Sequence, residues 1–556
     1  MSDYQTSHYD IDHEQRGKTL MVLDAFRMMA EGVDNDVIPA SREDVVISGI
    51  ENPASTLKSN GNIYTTLPLR PVSKDVNFMF QNYVHHDFKL NITATADVAP
   101  ATDIEFAIYV PCVASLPSRL QLMNGNTSIW QNQFQRAEAM AAMASVPQEI
   151  VQTCPEYVTM SKLQNREPIP GGYVTWKAGQ TQQVFTINLD ANADINHLTP
   201  LLSNIPFTTT ETGDLRLRPF YEKLDEALCI TPLPSKEYDG SKFTLSNFHV
   251  LERLPLTKPV KFMTDTQQPL ATGANTIATS TAGSKSTFTF TLQSWEANNA
   301  GVEIVQSNFS IKEASREGLK KYIGEDNKLV IPTQTWSTCL STSVPNGTTT
   351  QELIFQVSAY NIYLLAFLFP YNSTWQTYYP HPKMYNIDIM LNSKSVNYIP
   401  YNYVDTRVVK DTIQAFLNDD KYGANENLVN SLILAPYTGT PYDKAAYASV
   451  YADKGGPLIH RPNNFCIAKG LSPPNSFEKG YCVASSNPQS TQVRFKYSLG
   501  ENIDAGIDQL NPGPIYATNY QAYCLALQDC CVVLTYNPTV GTCQAGEVVY
   551  AEPFVA

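Results

Sequence analysis

RLQLMNGNTSI, from Arg119 to Ile129, and YNIDIMLNSKSV, from Tyr385 to Val396, carry one short pattern twice. Each opens as an alternating strand, turns tightly at Asn124-Gly125 or Asn392-Ser393, and returns as a brief second strand. A helix is expected soon after each. The first would follow Ser128, with Trp130, Phe134, Ala137, Ala141 and Ala144 along one face until Pro147 ends it. The second would be capped by Asp405 and would set Val409, Ile413, Phe416 and Leu417 on one face. The two turns lie 268 residues apart in a chain of 556, close to half its length. That spacing predicts tandem copies of one fold.

Strand patterns dominate both halves. FKLNITATADV from Phe88, DIEFAIYV from Asp103, QQVFTINL from Gln182 and KFTLSNFHVL from Lys242 alternate apolar with polar residues. STFTFTL from Ser286, ELIFQVSAYNIYLLAFLF from Glu352, TQVRFKYSL from Thr491 and CCVVLTY from Cys530 do the same. Gly, Pro, Asn and Ser fill the stretches between them, as turns and surface loops require. Many short strands joined in this way predict an all-β sandwich or barrel.

Alternation fails and Thr, Ala, Gly and Ser accumulate after Pro255, which predicts a linker over 257–285. The copies would then occupy 56–256 and 286–556. Residues 1–55 form an N-terminal arm, in which 14–31 read as an amphipathic helix ended by Gly32. Its apolar face, Leu20, Leu23 and Met28, is the candidate assembly site. Docking against another subunit and packing on its own first copy are both open.

A chain of this size exceeds one hydrophobic core, since cores stop growing at roughly 250 to 300 residues. Charged residues make up 17%, while Tyr (31) and Phe (23) are abundant, a balance that suits pleated, half-buried surfaces. No apolar stretch reaches the roughly 18 residues of a membrane helix, and no secretory signal opens the sequence, so synthesis in the cytosol is expected. The ten cysteines lack zinc-type spacing and read as free core thiols. Net charge is −14, and residues 1–60 hold five basic against eleven acidic residues. There is no basic arm to neutralise phosphates, so no specific nucleic-acid binding is expected.

The sequence holds no nucleophile elbow, zinc-protease helix, phosphate loop or dinucleotide fingerprint. GSKST at Gly283 lacks the earlier glycine of a phosphate loop. His85, His86 and Asp87 are the best cluster, but consecutive strand residues point to opposite faces and would not converge on one ion. His381, between prolines, reads as a surface or interface contact. Neither an enzyme nor a cofactor or metal site is expected.

LPSRLQLMNGNTSIW at Leu116, FLFPYNSTWQTYYPHPKMYNIDIMLNSKSVNYIP at Phe367 and the strand-rich C-terminus from Gln492 resemble the double jelly-roll major capsid proteins of tailless icosahedral double-stranded DNA viruses. The likeness is to the branch with virophages and Polinton-like viruses. It implies two tandem jelly-roll domains with short helical insertions. It also implies a homotrimer that serves as a pseudo-hexagonal capsomer in the virion shell, contacting neighbouring capsomers and vertex and minor capsid proteins. An internal membrane is left open. The competing readings are a capsid protein of an RNA virus group, a glycan-binding fibre or lectin, and a hydrolase.

Overall fold

Along Tyr83–Ala96 every second side chain is buried, from Val84 through His86, Phe88, Leu90, Ile92 and Ala94. Period-two burial of this kind is what a strand with one face on a core requires. Each large apolar side chain so buried contributes about 1.5–3 kcal/mol before ordering costs. The computed structural model describes residues 41–49, 56–69, 76–78, 82–100, 103–143, 171–202, 205–208, 212–233, 254–257, 260–263, 285–310, 326–345, 350–357, 361–370, 379, 384–397, 399–401, 411, 412, 415, 466–471, 481–482, 491–499 and 521–550.

The chain is all-β, and its two decisive hairpins are the innermost turns of two nested ribbons. In the first half Arg119–Asn124 pairs with Thr127–Asn132, Ile104–Tyr109 with Gly171–Trp176, and Tyr83–Ala96 with Gln182–Asp194, all antiparallel. In the second half Met384–Leu391 pairs with Lys394–Ser395, Asn361–Leu368 with Cys466–Gly470, Thr350–Val357 with Thr491–Leu499, and Lys328–Leu340 with Tyr523–Asn537. Each ribbon is one long hairpin that winds on itself, so successive pairs fall into different sheets. The second half gives a six-stranded and a four-stranded sheet, which is the jelly-roll arrangement. Phe355, Phe367 and Phe495 meet between these sheets. The first half sets one seven-stranded sheet against two four-stranded ones, joined by contacts of Phe106 with Phe288 and of Phe88 with Tyr221.

The two turns use different chemistry. Gly125 has φ 57° at the first loop position, the place where a type II′ turn takes glycine. Asn392 and Ser393 both have positive φ, 47° and 70°, as in a type I′ turn.

Three boundaries differ from the sequence expectation. Lys285–Ser310, expected to open the second copy at 286, is the longest strand of the first half's large sheet and pairs with Tyr83–Ala96. Its pattern announced a strand but not a partner. Within the expected linker, Val260–Met263 is a strand that pairs with the start of Lys285–Ser310. Within the expected arm, Ser41–Ser48 pairs with the end of the same strand. The remainder of the arm, with Leu20, Leu23 and Met28, lies outside the described residues.

The first helix is Gln135–Met143 and starts later than expected. Ser128 and Trp130 belong to the return strand, where Trp130 pairs with Leu122 and is buried. Asp411, Thr412 and Ala415 are helical, in keeping with a second helix. Asp405, Val409, Ile413, Phe416 and Leu417 lie outside the described residues, as does KFTLSNFHVL from Lys242.

Candidate assembly seam

The helix Gln135–Met143 is built from good helix formers, QRAEAMAAM, and its small residues let other elements approach closely. Ala137 and Ala141 are buried, as their spacing predicts, but Gln135, Arg136 and Glu138 are buried too. Gln135 and Arg136 are held by carbonyls of the first half, among them those of Leu198 and Ser115, and Glu138 meets Thr338 of the second half. This makes the helix the centre of a seam between the two halves.

Glu138 bridges that seam. Thr338 Oγ1, on the second-half strand Lys328–Leu340, donates to Glu138 Oε1 at 2.8 Å, and Asn132 Nδ2 donates to Oε2 at 2.5 Å. Burial pushes the Glu138 carboxyl up to about 8, with the bonds from Thr338 and Asn132 opposing in part. The carboxyl is therefore mostly neutral near pH 7. Arg136 points the other way, donating to the carbonyls of Glu222 (2.6 Å), Ser115 (3.3 Å) and Leu116 (3.4 Å). Burial lowers it to about 10, so it stays charged while it ties the helix to the first half.

The seam extends to either side of the helix. Phe134 meets Tyr523 edge to face at 5.5 Å, and Thr333 Oγ1 donates to the carbonyls of Leu201 (3.0 Å) and Pro200 (3.1 Å). Asn124 Nδ2, at the tip of the decisive hairpin, donates to the Cys543 carbonyl at 3.4 Å. Beside it Gly213 has φ 74°, and a Cβ there would lie 2.1 Å from the Cys543 carbonyl oxygen. Glycine is required at this approach for both reasons.

The chemistry candidates resolve as the strand geometry dictates. His86 points into the core against Tyr221 and Phe88, and burial drives its imidazole down to about 3. His85 points to the opposite face, with Nε2 2.8 Å from Asp190 Oδ1 and Nδ1 3.9 Å from Glu303 Oε2. Ser48 Oγ donates to Glu303 at 2.9 Å, so its hydroxyl is held by a carboxylate and not by the imidazole that would activate it. Among the described residues no group of three His, Cys, Asp or Glu could hold a metal ion. Lys285 of GSKST opens an extended strand, where a phosphate loop would open a helix. His381 lies outside the described residues.

Sequence reading missed Glu138, Arg136 and Thr338 as seam residues. Charged residues in an alanine-rich helix ordinarily mark solvated positions, and no local signal announces the strand that covers Glu138.

No protein-family model and no curated protein matches the sequence. Among solved structures the chain is similar to the cryo-EM structure of the Sputnik virophage, covering 93% of this chain and 89% of that one at TM-score 0.48 and 9% identity. It is similar to the mavirus major capsid protein, with 93% of each chain covered, TM-score 0.44 and 10% identity. It is also similar to the Faustovirus major capsid protein, with 94% and 98% covered, TM-score 0.41 and 8% identity.

Proposed function

We propose that the chain is the major capsid protein of a tailless icosahedral double-stranded DNA virus, a structural protein without catalytic activity. The observation that carries this reading is the pairing of two rolled ribbons in one chain through a buried seam. Three such chains present six sandwiches around a threefold axis, a pseudo-hexagonal unit that can tile a large shell. Cyclic symmetry closes that trimer by repeating one heterologous interface. Weak contacts between capsomers suffice for the shell, because an assembled lattice multiplies them.

In this reading the first jelly roll runs to Ser310 and the second begins near Lys328. The segment bearing Leu20, Leu23 and Met28 is an assembly arm that meets a neighbouring subunit, a minor protein or a membrane. Neighbouring capsomers and vertex and minor capsid proteins are the partners, and the virion is the location after synthesis in the host cytosol. The charge of −14 leaves genome contact to other virion proteins.

Light scattering after size exclusion tests the reading. The expected mass is about three times 61.8 kDa. A stable monomer at micromolar concentration would contradict it.

A further inference from the structure

Cys112, Cys229, Cys466, Cys524, Cys530 and Cys543 are buried thiols, and Cys339 and Cys531 are partly exposed. Two of them face each other. Cys339 on Lys328–Leu340 is the register partner of Cys524 on Tyr523–Asn537. Directly opposed residues of an antiparallel pair have Cα atoms about 4.5–5.5 Å apart, inside the roughly 4.4–6.8 Å that a disulfide spans. Their side chains also leave the sheet on the same face.

Cys339 lies close enough to act electrostatically on the Cys524 thiol. The register at this end is pinned as well, because Ser341 N–H donates to the Ala522 carbonyl and Ala522 N–H donates to Ser341 Oγ, both at 2.9 Å. The other cysteines of the described strand pairs oppose different residues: Cys229 faces Tyr109, Cys466 faces Leu368, Cys482 faces Asn361, Cys530 faces Thr333 and Tyr550, and Cys543 faces Tyr536. Cys531 faces Pro332 and Val549.

We propose that Cys339 and Cys524 are an oxidisable pair, which a low-molecular-weight disulfide converts to a cross-strand disulfide. The partly exposed Cys339 reacts first. Its thiolate attacks the reagent disulfide, forming a mixed disulfide and expelling one thiolate, which takes up the proton Cys339 lost. The Cys524 sulfur, after giving up its proton, then attacks the Cys339 sulfur and expels the second thiol. One reagent disulfide is reduced to two thiols, and the two cysteines are oxidised by the same two electrons. Burial and the neighbouring Cys339 hold Cys524 as a thiol, its ionisation raised well above the ordinary range, so it serves as the slower, resolving partner. Lys328–Leu340 ends its sheet and carries Thr338 and Thr333 across the seam. The disulfide would fasten that strand in place.

The test treats the full-length protein with oxidised glutathione, followed by peptide mapping, thiol counting and a melting curve. The expected result is two glutathiones released per chain, a linked peptide pair containing Cys339 and Cys524, and a Tm raised by roughly 5 °C or more, reversed by a dithiol reductant. Cys339→Ser should abolish all three. Cys524→Ser, or Cys524→Ala should the serine variant not fold, should retain one glutathione on Cys339. Glutathione left on Cys339 of the unaltered protein, a disulfide joining other cysteines, or two free thiols at these positions after full oxidation of the denatured protein in parallel would each overturn the proposal.

Discussion

Replacing Glu138 by Gln separates the seam's charge from its shape. The carboxyl is buried between the helix Gln135–Met143 and Thr338, and its folded pKa stands at about 8 against 4.5 when exposed. A raised acid stabilises the fold fully below its unfolded value, and that contribution is lost as pH climbs towards the folded one. At about 1.4 kcal/mol for each pH unit between the two values, the loss amounts to about 5 kcal/mol, of which about 4 falls between pH 5 and pH 8. Gln has nearly the same shape, keeps an oxygen for Thr338 Oγ1, and does not titrate. The stability of the native protein minus that of Glu138→Gln, from denaturant midpoints with a common slope, should therefore fall by about 4 kcal/mol from pH 5 to pH 8 and flatten above it. Other titrating groups are common to both proteins and cancel. A difference that stays level across this range would refute a buried, neutral carboxyl at the seam.

His86 acts in the opposite sense. Its folded pKa of about 3 lies below 6.5, so its contribution is complete above pH 6.5 and drains away as pH falls; His86→Phe should gain about 3 kcal/mol on the native protein between pH 7.5 and pH 4.5, and equal losses would remove His86 from the core. Ser393 is exposed at φ 70°, so Ser393→Gly should raise stability by about 1 kcal/mol, whereas a drop in the denaturant midpoint would mean the turn is not left-handed there. Removing residues 1–40, which stops short of the paired strand Ser41–Ser48, should leave trimer mass and Tm almost unchanged while lowering the yield of closed shells; a truncated protein that cannot fold would place Leu20, Leu23 and Met28 in the core.

Local pattern reached far in this chain because its fold is made of hairpins. Asn124-Gly125 and Asn392-Ser393 mark the two innermost turns, and strand alternation sends His85 and His86 to opposite faces, as the structure has them. Pairing partners were less legible. The run from Ser286 reads as a strand in either half, and only its hydrogen bonds to Tyr83–Ala96 assign it to the first. SREDVVIS, the strand over Ser41–Ser48, is too polar at its start to stand out from an acidic arm. The seam was hidden for a related reason: a charged side chain on an alanine-rich helix looks solvated, yet Arg136 and Glu138, two positions apart, point to different sides and are both buried. Burial of Glu138 is decided by a strand some 200 residues away, which carries Thr338.

Negative-stain electron microscopy of the purified protein asks whether two rolled ribbons in one chain make a threefold unit of six sandwiches. Class averages should show threefold particles with a pseudo-hexagonal outline. Single two-lobed particles with no threefold relation, at concentrations where the protein is fully folded, would contradict it.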